Sequence, residues 1–321
     1  MTKALVLHES GPPENMLWED VDVGDPGPGE VRLRHTAIGF NSLDCDYRSG
    51  AIPLKTPPII VGGEGAGIVE AVGEGVETVA VGDRVAYALA RGAYAQERII
   101  ATEVLVPIPD GVTDRAAAAL TTKGLTVYQL FHRAHALKAG QTILFQAAAG
   151  GVGLIACQWA RHIGAALIGA VGAEEKTAAV LDNGAAHAIV YTSDDVAERV
   201  REITGGRGCD AVFDAVGKDT IEASVKSLAT FGTLVRYGDI SGDVSSKLAD
   251  LPVSTYLFKM SIMTLLRQPG EYQAAAAAVF DLAASGALDF SSPQTFALKD
   301  AAQAHRTLEA RRNIGPIVLL P

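Results

Sequence analysis

The spacing of hydrophobic positions changes character near Lys123. Before it, short apolar runs at residues 4–8, 31–38, 68–72 and 84–88 are bounded by glycine or proline and predict strands. Pro26-Gly27-Pro28-Gly29 reads as a turn, and glycines crowd the strand boundaries at Gly62-Gly63, Gly65, Gly67, Gly73, Gly75 and Gly82. So many sharp corners predict a small, strongly bent sheet, a partial barrel. Val106-Pro107-Ile108-Pro109-Asp110-Gly111 ends this region, and residues 113–120 predict a helix with Thr113 or Asp114 as N-cap.

Beyond Lys123 helical and strand periods alternate. Helices are predicted at 126–136, 154–164, 174–183 (closed by Gly184) and 195–204, and strands at 141–146, 166–171, 188–191, 210–213 and 233–237. Strands separated by helices imply a parallel, doubly wound sheet, so the fold class is α/β. The tail predicts helices at 274–284 and 298–310 and a last strand at 317–320; Val279, Phe280 and Leu282 give the alanine-rich helix an apolar packing face.

A chain of 321 residues exceeds one typical core and implies two domains. Its 48% hydrophobic and 20% charged residues describe a globular protein, and a net charge of -10 argues against nucleic acid or an anionic membrane as partner. The first residues lack a signal-peptide core and no apolar run reaches bilayer length, so a cytoplasmic protein is expected. Cys45, Cys157 and Cys209 are widely spaced with no CxxC pair, which reads as reduced thiols.

The most informative stretch lies at residues 141–164. A buried strand, the turn Ala147-Ala148-Ala149-Gly150-Gly151-Val152-Gly153 and an apolar-faced helix open a dinucleotide-binding βαβ unit. Such a turn must let backbone N–H groups approach a pyrophosphate, which the positive end of the helix then stabilises. The usual first glycine is Ala148 here, with Gly150 and Gly153 at the other two positions.

Several further motifs carry a family resemblance: Asn41-x-x-Asp44-x-x-x-Arg48-Ser49-Gly50, Glu64-Gly65-Ala66-Gly67, Gly82-Asp83-Arg84-Val85, Lys123-Gly124-Leu125-Thr126 and Tyr237-Gly238. With the glycine turn, in this order, the chain resembles the zinc-independent medium-chain dehydrogenase/reductases, and among them the quinone oxidoreductases (zeta-crystallin-like), over nearly its whole length. The resemblance implies a Rossmann NADPH-binding domain at residues 123–268. It is inserted into a GroES-like catalytic domain made of residues 1–122 and 269–321, with a quinone bound in the interdomain cleft.

In zinc-bearing relatives a Cys and a His hold the catalytic metal; the matching positions here are Asn41 and Gly63, which supply neither thiolate nor imidazole. No metal is expected. The tip of the second Rossmann strand, Val171-Gly172, carries no acid for ribose hydroxyls. Lys176 and Tyr191 stand where the family holds the adenosine 2′-phosphate, so the implied cofactor is NADPH; the alternative is a solvated lysine and a strand-end tyrosine, with Glu174 reading the ribose. The resemblance also places Asn41 and Thr126 near the nicotinamide, Gly150, Gly151 and Val152 under the pyrophosphate, and Tyr237, Gly238 and Ser241 along the same cofactor. Arg311 is either a further cofactor contact or a solvated helix-end arginine.

Asp44 and Arg48, four apart, are expected to pair across a helix; a substrate-facing, catalytic Asp44 beside Asn41 and Thr126 is the secondary reading. Asp46, Ile52 and Lys259 depart from the family's tyrosines and arginine and leave the substrate open. A quinone that receives hydride becomes a hydroquinone anion that solvent protonates, so no triad is required. An enoyl or alkenal reductase is the alternative enzyme; it needs a general acid, for which Tyr47 and Tyr94 are the nearby candidates. A non-catalytic, RNA-binding role conflicts with the acidic balance. The expected partners are a small-molecule quinone and, by resemblance, a second copy in a homodimer.

Overall fold

The glycine-bounded apolar runs of the first hundred residues become antiparallel strands. The computed structural model describes residues 1–54, 56–242, 244 and 251–321. In chain order the first elements are β1 (Thr2–Leu7), β2 (Met16–Val21), β3 (Glu30–Phe40), α1 (Ser42–Ser49), β4 (Ile59–Ile60), β5 (Glu64–Val72), β6 (Arg84–Tyr87), β7 (Glu97–Ala101), β8 (Leu105–Pro107) and α2 (Asp114–Gln129). Then come β9 (Thr142–Phe145), α3 (Gly151–Ile163), β10 (Ala166–Val171), α4 (Thr177–Asp182), β11 (His187–Val190), α5 (Val196–Ile203) and β12 (Cys209–Asp214). The chain continues with α6 (Ile221–Lys226), β13 (Leu228–Arg236), β14 (Tyr256–Lys259), α7 (Pro269–Ala284), β15 (Gln294–Ala297), α8 (Ala301–Glu309) and β16 (Ile317–Leu320). Met1–Lys123 with Leu266–Pro321 forms one compact unit and Gly124–Leu265 the other.

The first unit holds a three-stranded sheet, β2-β1-β4, and a seven-stranded one whose path runs β15-β16-β3-β5-β6-β8, with β7 also on β3. The long β3 carries register shifts at Arg32/Leu33 and His35/Ala37 where it pairs β5, and such shifts bend a strand. β16, from the far end of the chain, pairs antiparallel with the end of β3, so the C-terminal segment completes the N-terminal sheet. Leu33, Ile38, Val69, Tyr87, Leu298 and Leu319 share one core. Gly39 in β3 lies so close to other chain that a methyl there would collide with the Ala118 carbonyl and the Glu64 carboxylate.

The second unit is one six-stranded sheet of order β11-β10-β9-β12-β13-β14, parallel throughout. That is the doubly wound order, with the reversal between β9 and β12. The central strands are apolar on both faces, with Leu144, Ile168, Val212 and Leu234 buried in one core, because helices cover both. β14 is an edge strand, and its Tyr256, Leu257 and Phe258 are 61%, 44% and 38% exposed.

Predicted elements differ in form in three places, among them the helix at 298–310, which is a 3-10 turn, Leu298–Asp300, followed by α8. The helices at 113–120 and 126–136 are one helix, α2, which runs through Gly124 and passes into a π-helical turn at Leu130–Ala134. A mid-helix glycine costs about 1 kcal/mol, and the buried Leu120, Leu125 and Val127 offset it. The helix at 174–183 is a 3-10 turn, Glu174–Lys176, followed by the short α4. The pattern does not announce β2, β7, β8, α6 or β14.

Because the neighbours of Gly39 are a backbone carbonyl and a buried carboxylate, neither can yield cheaply. Gly39→Ala is expected to destabilise the protein by roughly 1–3 kcal/mol, read as a fall in the thermal midpoint; an unchanged midpoint would contradict this packing.

Candidate active site

In the second unit, the carboxyl ends of the parallel strands gather most of the predicted nucleotide-binding positions. β9 ends at Phe145, and the turn is pinned back to the sheet by Gln146 N–H on Phe213 O (3.0 Å) and Ala148 N–H on Ala170 O (3.0 Å). The left-handed residue is Ala147, at φ 54, so Ala148 has no need of the usual glycine. Gly150 is the N-cap of α3 and brings no side chain to the first-turn N–H groups. Those groups, on Gly151 and Val152 at the start of a 13-residue helix, are left for an anion. A Cβ on Gly153 would strike the Ala148 backbone, so only glycine lets the helix begin this close to the strand.

At the end of β10, Tyr191 donates its N–H to Val171 O (3.0 Å), and its hydroxyl lies 2.5 Å from where a Cβ of Gly172 would sit. Half-buried Lys176 ends the turn that follows Gly172-Ala173, whereas Glu174 and Glu175 are exposed. Tyr237, Gly238 and Ser241 follow β13. Tyr237 N–H binds Asp214 O (3.0 Å), and burial pushes the Tyr237 hydroxyl well above its ordinary range. The Ser241 hydroxyl is engaged within the protein, donating to Val216 O (2.8 Å) and accepting from Asp219 N–H (3.0 Å). Thr126 is buried on α2. The turn and the uncapped α3 terminus fit a dinucleotide's pyrophosphate.

In the first unit, Asn41 is the N-cap of α1. Its Nδ2 donates to Glu64 Oε2 (2.8 Å) and its Oδ1 accepts from Lys123 Nζ (2.9 Å), which also reaches Glu64 Oε2 at 3.2 Å. Glu64 is completely buried, and its other oxygen takes the Thr122 N–H at 2.5 Å. Sequence reasoning gave Glu64 and Lys123 no role; the available signal was a lysine within the otherwise apolar and hydroxyl-bearing run that becomes the buried face of α2.

Asp44 does not pair with Arg48. Its Oδ2 turns back to the Asn41 N–H (2.9 Å) and meets the Tyr94 hydroxyl at 3.4 Å. Arg48 instead binds Gly11 O (2.7 Å) and the Glu309 carboxylate. The carboxylate sits in the first turn of α1, where N–H groups need acceptors, and the guanidinium in the last, facing α8, so capping outcompetes the i,i+4 pair. Burial pushes the Asp44 carboxyl up to about 7, against the backbone hydrogen bond from Asn41 that lowers it. Tyr94 is wholly buried, with its hydroxyl 3.1 Å from His305 Nε2, which leaves half-buried Tyr47 as the nearer general-acid candidate. Cys45 Sγ lies 3.3 Å from His305 Nδ1, and burial pushes its thiol up to about 12, an unreactive cysteine. Arg311 is exposed, two residues past the Glu309 that grips Arg48, at φ 55.

The donor set does not fit zinc. Gly63 has no side chain, and the Asn41 carboxamide is committed to a carboxylate and an ammonium. Among the described residues no three His, Cys, Asp or Glu side chains form a metal-binding group.

Two family models match: an alcohol dehydrogenase GroES-like domain over residues 27–110 and a zinc-binding dehydrogenase domain over residues 151–281. The chain is 44% identical to a quinone oxidoreductase of Pseudomonas aeruginosa, with 100% of both chains covered. It is 43% identical to a 2-haloacrylate reductase of Burkholderia, covering 100% of this chain and 99% of that protein. The crystal structure of Escherichia coli quinone oxidoreductase complexed with NADPH superposes with a TM-score of 0.95 at 38% identity, over 99% of this chain and 100% of that one. The inserted doubly wound sheet, the sheet completed by β16 and the full-length likeness agree: the chain belongs to the medium-chain dehydrogenase/reductase superfamily, in its quinone oxidoreductase family.

Proposed function

We propose that the protein is an NADPH:quinone oxidoreductase that works without zinc. The observation that carries this reading is the end of β10, where Tyr191 packs against Gly172, the turn that follows ends at half-buried Lys176, and Glu174 is exposed. A lysine ammonium and a phenol there suit a 2′-phosphate, as a carboxylate would suit free ribose hydroxyls. Beside Gly150, whose own N–H is bonded to Ala147 O, the α3 N–H groups of Gly151 and Val152 hold the pyrophosphate, and Tyr237, Gly238 and Ser241 line the same cofactor. Thr126 and Asn41 orient the nicotinamide end, with Arg311 as a further contact. NADPH, when bound, supplies hydride. Asp44 keeps Asn41 in place through its backbone N–H, and a reduced quinone takes its proton from water, so no side chain need deliver one.

A second reading has a specific support, the 43% identity to a 2-haloacrylate reductase. Reduction of an activated C=C needs a proton at carbon, for which half-buried Tyr47 is the candidate. A cytoplasmic setting belongs to the same proposal, supported by three buried free thiols. So does a homodimer built by pairing the β14 edges of two copies, supported by three exposed apolar side chains in a row on an otherwise open strand.

Chelator-treated protein is expected to oxidise NADPH faster than NADH when given a small quinone. Lys176→Ala should weaken NADPH roughly 10- to 100-fold while sparing NADH, the span of a charge-assisted contact to phosphate. Preference for NADH would mean that Glu174 reads the ribose, and turnover of an enone or haloacrylate alone would move the assignment to the C=C reductase. For the dimer, Tyr256→Lys with Phe258→Asp is expected to halve the mass in sedimentation while the thermal midpoint holds; an unaltered mass would place the interface elsewhere.

A further inference from the structure

An asparagine amide looks nearly symmetrical in shape but not in hydrogen-bonding sense: one side accepts and the other donates. A lysine ammonium only donates and an ionised carboxylate only accepts. The two groups on Asn41 are one of each, Lys123 Nζ at 2.9 Å from Oδ1 and Glu64 Oε2 at 2.8 Å from Nδ2. Turning the amide over would set NH2 against ammonium and oxygen against carboxylate, so the orientation follows from the chemistry of the neighbours. Neither neighbour can swing away, because Glu64 is fully buried and held by the Thr122 N–H, and Lys123 is buried against Glu64. The Asn41 amide nitrogen has two hydrogens. One goes to Glu64, and the second has no partner among the described residues while the side chain remains half-buried.

We infer that Glu64 and Lys123 are positioning residues that lock the Asn41 carboxamide with its second N–H outward, so that Asn41 recognises an acceptor oxygen and rejects a donor at that point. This rests on the proposed place of Asn41 in the active site and goes beyond it by fixing what Asn41 can bind. The oxygen is a carbonyl or hydroxyl oxygen, carried either by the cofactor or by the electron acceptor.

A double-mutant cycle tests the lock. Glu64→Gln with Lys123→Met replaces the ion pair by neutral groups of similar size and removes both side-chain partners that orient the amide, leaving only the Asp44 N–H of the capping box on its oxygen. In the presence of Asn41 it should weaken NADPH binding, followed by nucleotide fluorescence, or lower kcat/KM for the quinone, by about tenfold. In an Asn41→Ala background, with no amide left to orient, the same pair should change either quantity less than about twofold. Equal losses in both backgrounds, or no loss in either, overturn the inference, since a purely structural role acts alike with and without the amide. If the pair does not fold, Glu64→Gln with Lys123→Gln, whose neutral amides can each donate or accept, runs the same cycle. Coupling in the NADPH dissociation constant puts the oxygen on the cofactor, and coupling only in the quinone KM puts it on the acceptor. A wild-type protein that turns over no acceptor would sink the quinone reading, yet the binding arm would still decide the lock.

Discussion

A carboxylate removed entirely from water must find its hydrogen bonds inside the protein. Glu64, at the start of β5, meets that demand with the Thr122 N–H, the Lys123 ammonium and the Asn41 amide. Three pieces of the first unit are thereby tied to one point: the opening of a sheet strand, the later half of α2 and the N-cap of α1. The same constraint explains Gly39, since any side chain there would enter the space the carboxylate fills. A buried ion pair of this kind is weak evidence for stability, because desolvation takes back most of the attraction. Its lasting effect is directional. It leaves one orientation of the Asn41 amide that suits both the carboxylate and the ammonium.

The second unit solves its electrostatic problem differently. No ionised side chain caps α3; backbone N–H groups and the helix dipole make the positive end, and small residues permit the approach. Peptide geometry suits the part common to all dinucleotides, whereas in the proposed reading the discriminating charge falls to Lys176 on a short turn. Next to the ionic cluster of the first unit lies a neutral one of Asp44, Tyr94, His305 and Cys45. Burial raises the Asp44 carboxyl toward 7 and lowers the His305 imidazole to about 3, so both drift toward their uncharged forms. Two adjoining clusters thus meet burial differently: one places a lysine beside its carboxylate, and the other, without a lysine, is pushed toward uncharged forms.

The sequence made the second unit legible because its signals are local. A strand, a small-residue turn and an apolar helix adjoin in the chain, and the parallel order follows from alternation. The glycine turn was readable even with Ala148 in the usual glycine position, since the backbone needed its left-handed residue one place earlier, at Ala147. The first unit was less legible because its decisive contacts are remote: Asn41 to Lys123 spans 82 residues and Cys45 to His305 spans 260. The i,i+4 spacing of Asp44 and Arg48 suggested a pair, and capping demand at one end of α1 and Glu309 at the other overrode it. Local periodicity contains no term for such competition. The unbroken α2 is a similar case, where buried leucines and valine outweighed the propensity of Gly124.

In the proposed reading, substrate choice and cofactor choice rest on different kinds of residue. The positions that depart from the family's tyrosines and arginine, Asp46, Ile52 and Lys259, are exposed, half-buried and exposed in turn. None is tied into either buried cluster or into the α3 turn, so each can vary without disturbing the hydrogen-bond arrangement around Glu64 or the backbone approach at Gly153. A fold organised this way fixes the groups around Glu64 through hydrogen bonds among buried polar side chains. The departing positions lie outside that arrangement, where substitutions cost little stability. That division accounts for full-length likeness to proteins named for quinones and for a haloacrylate at nearly the same identity.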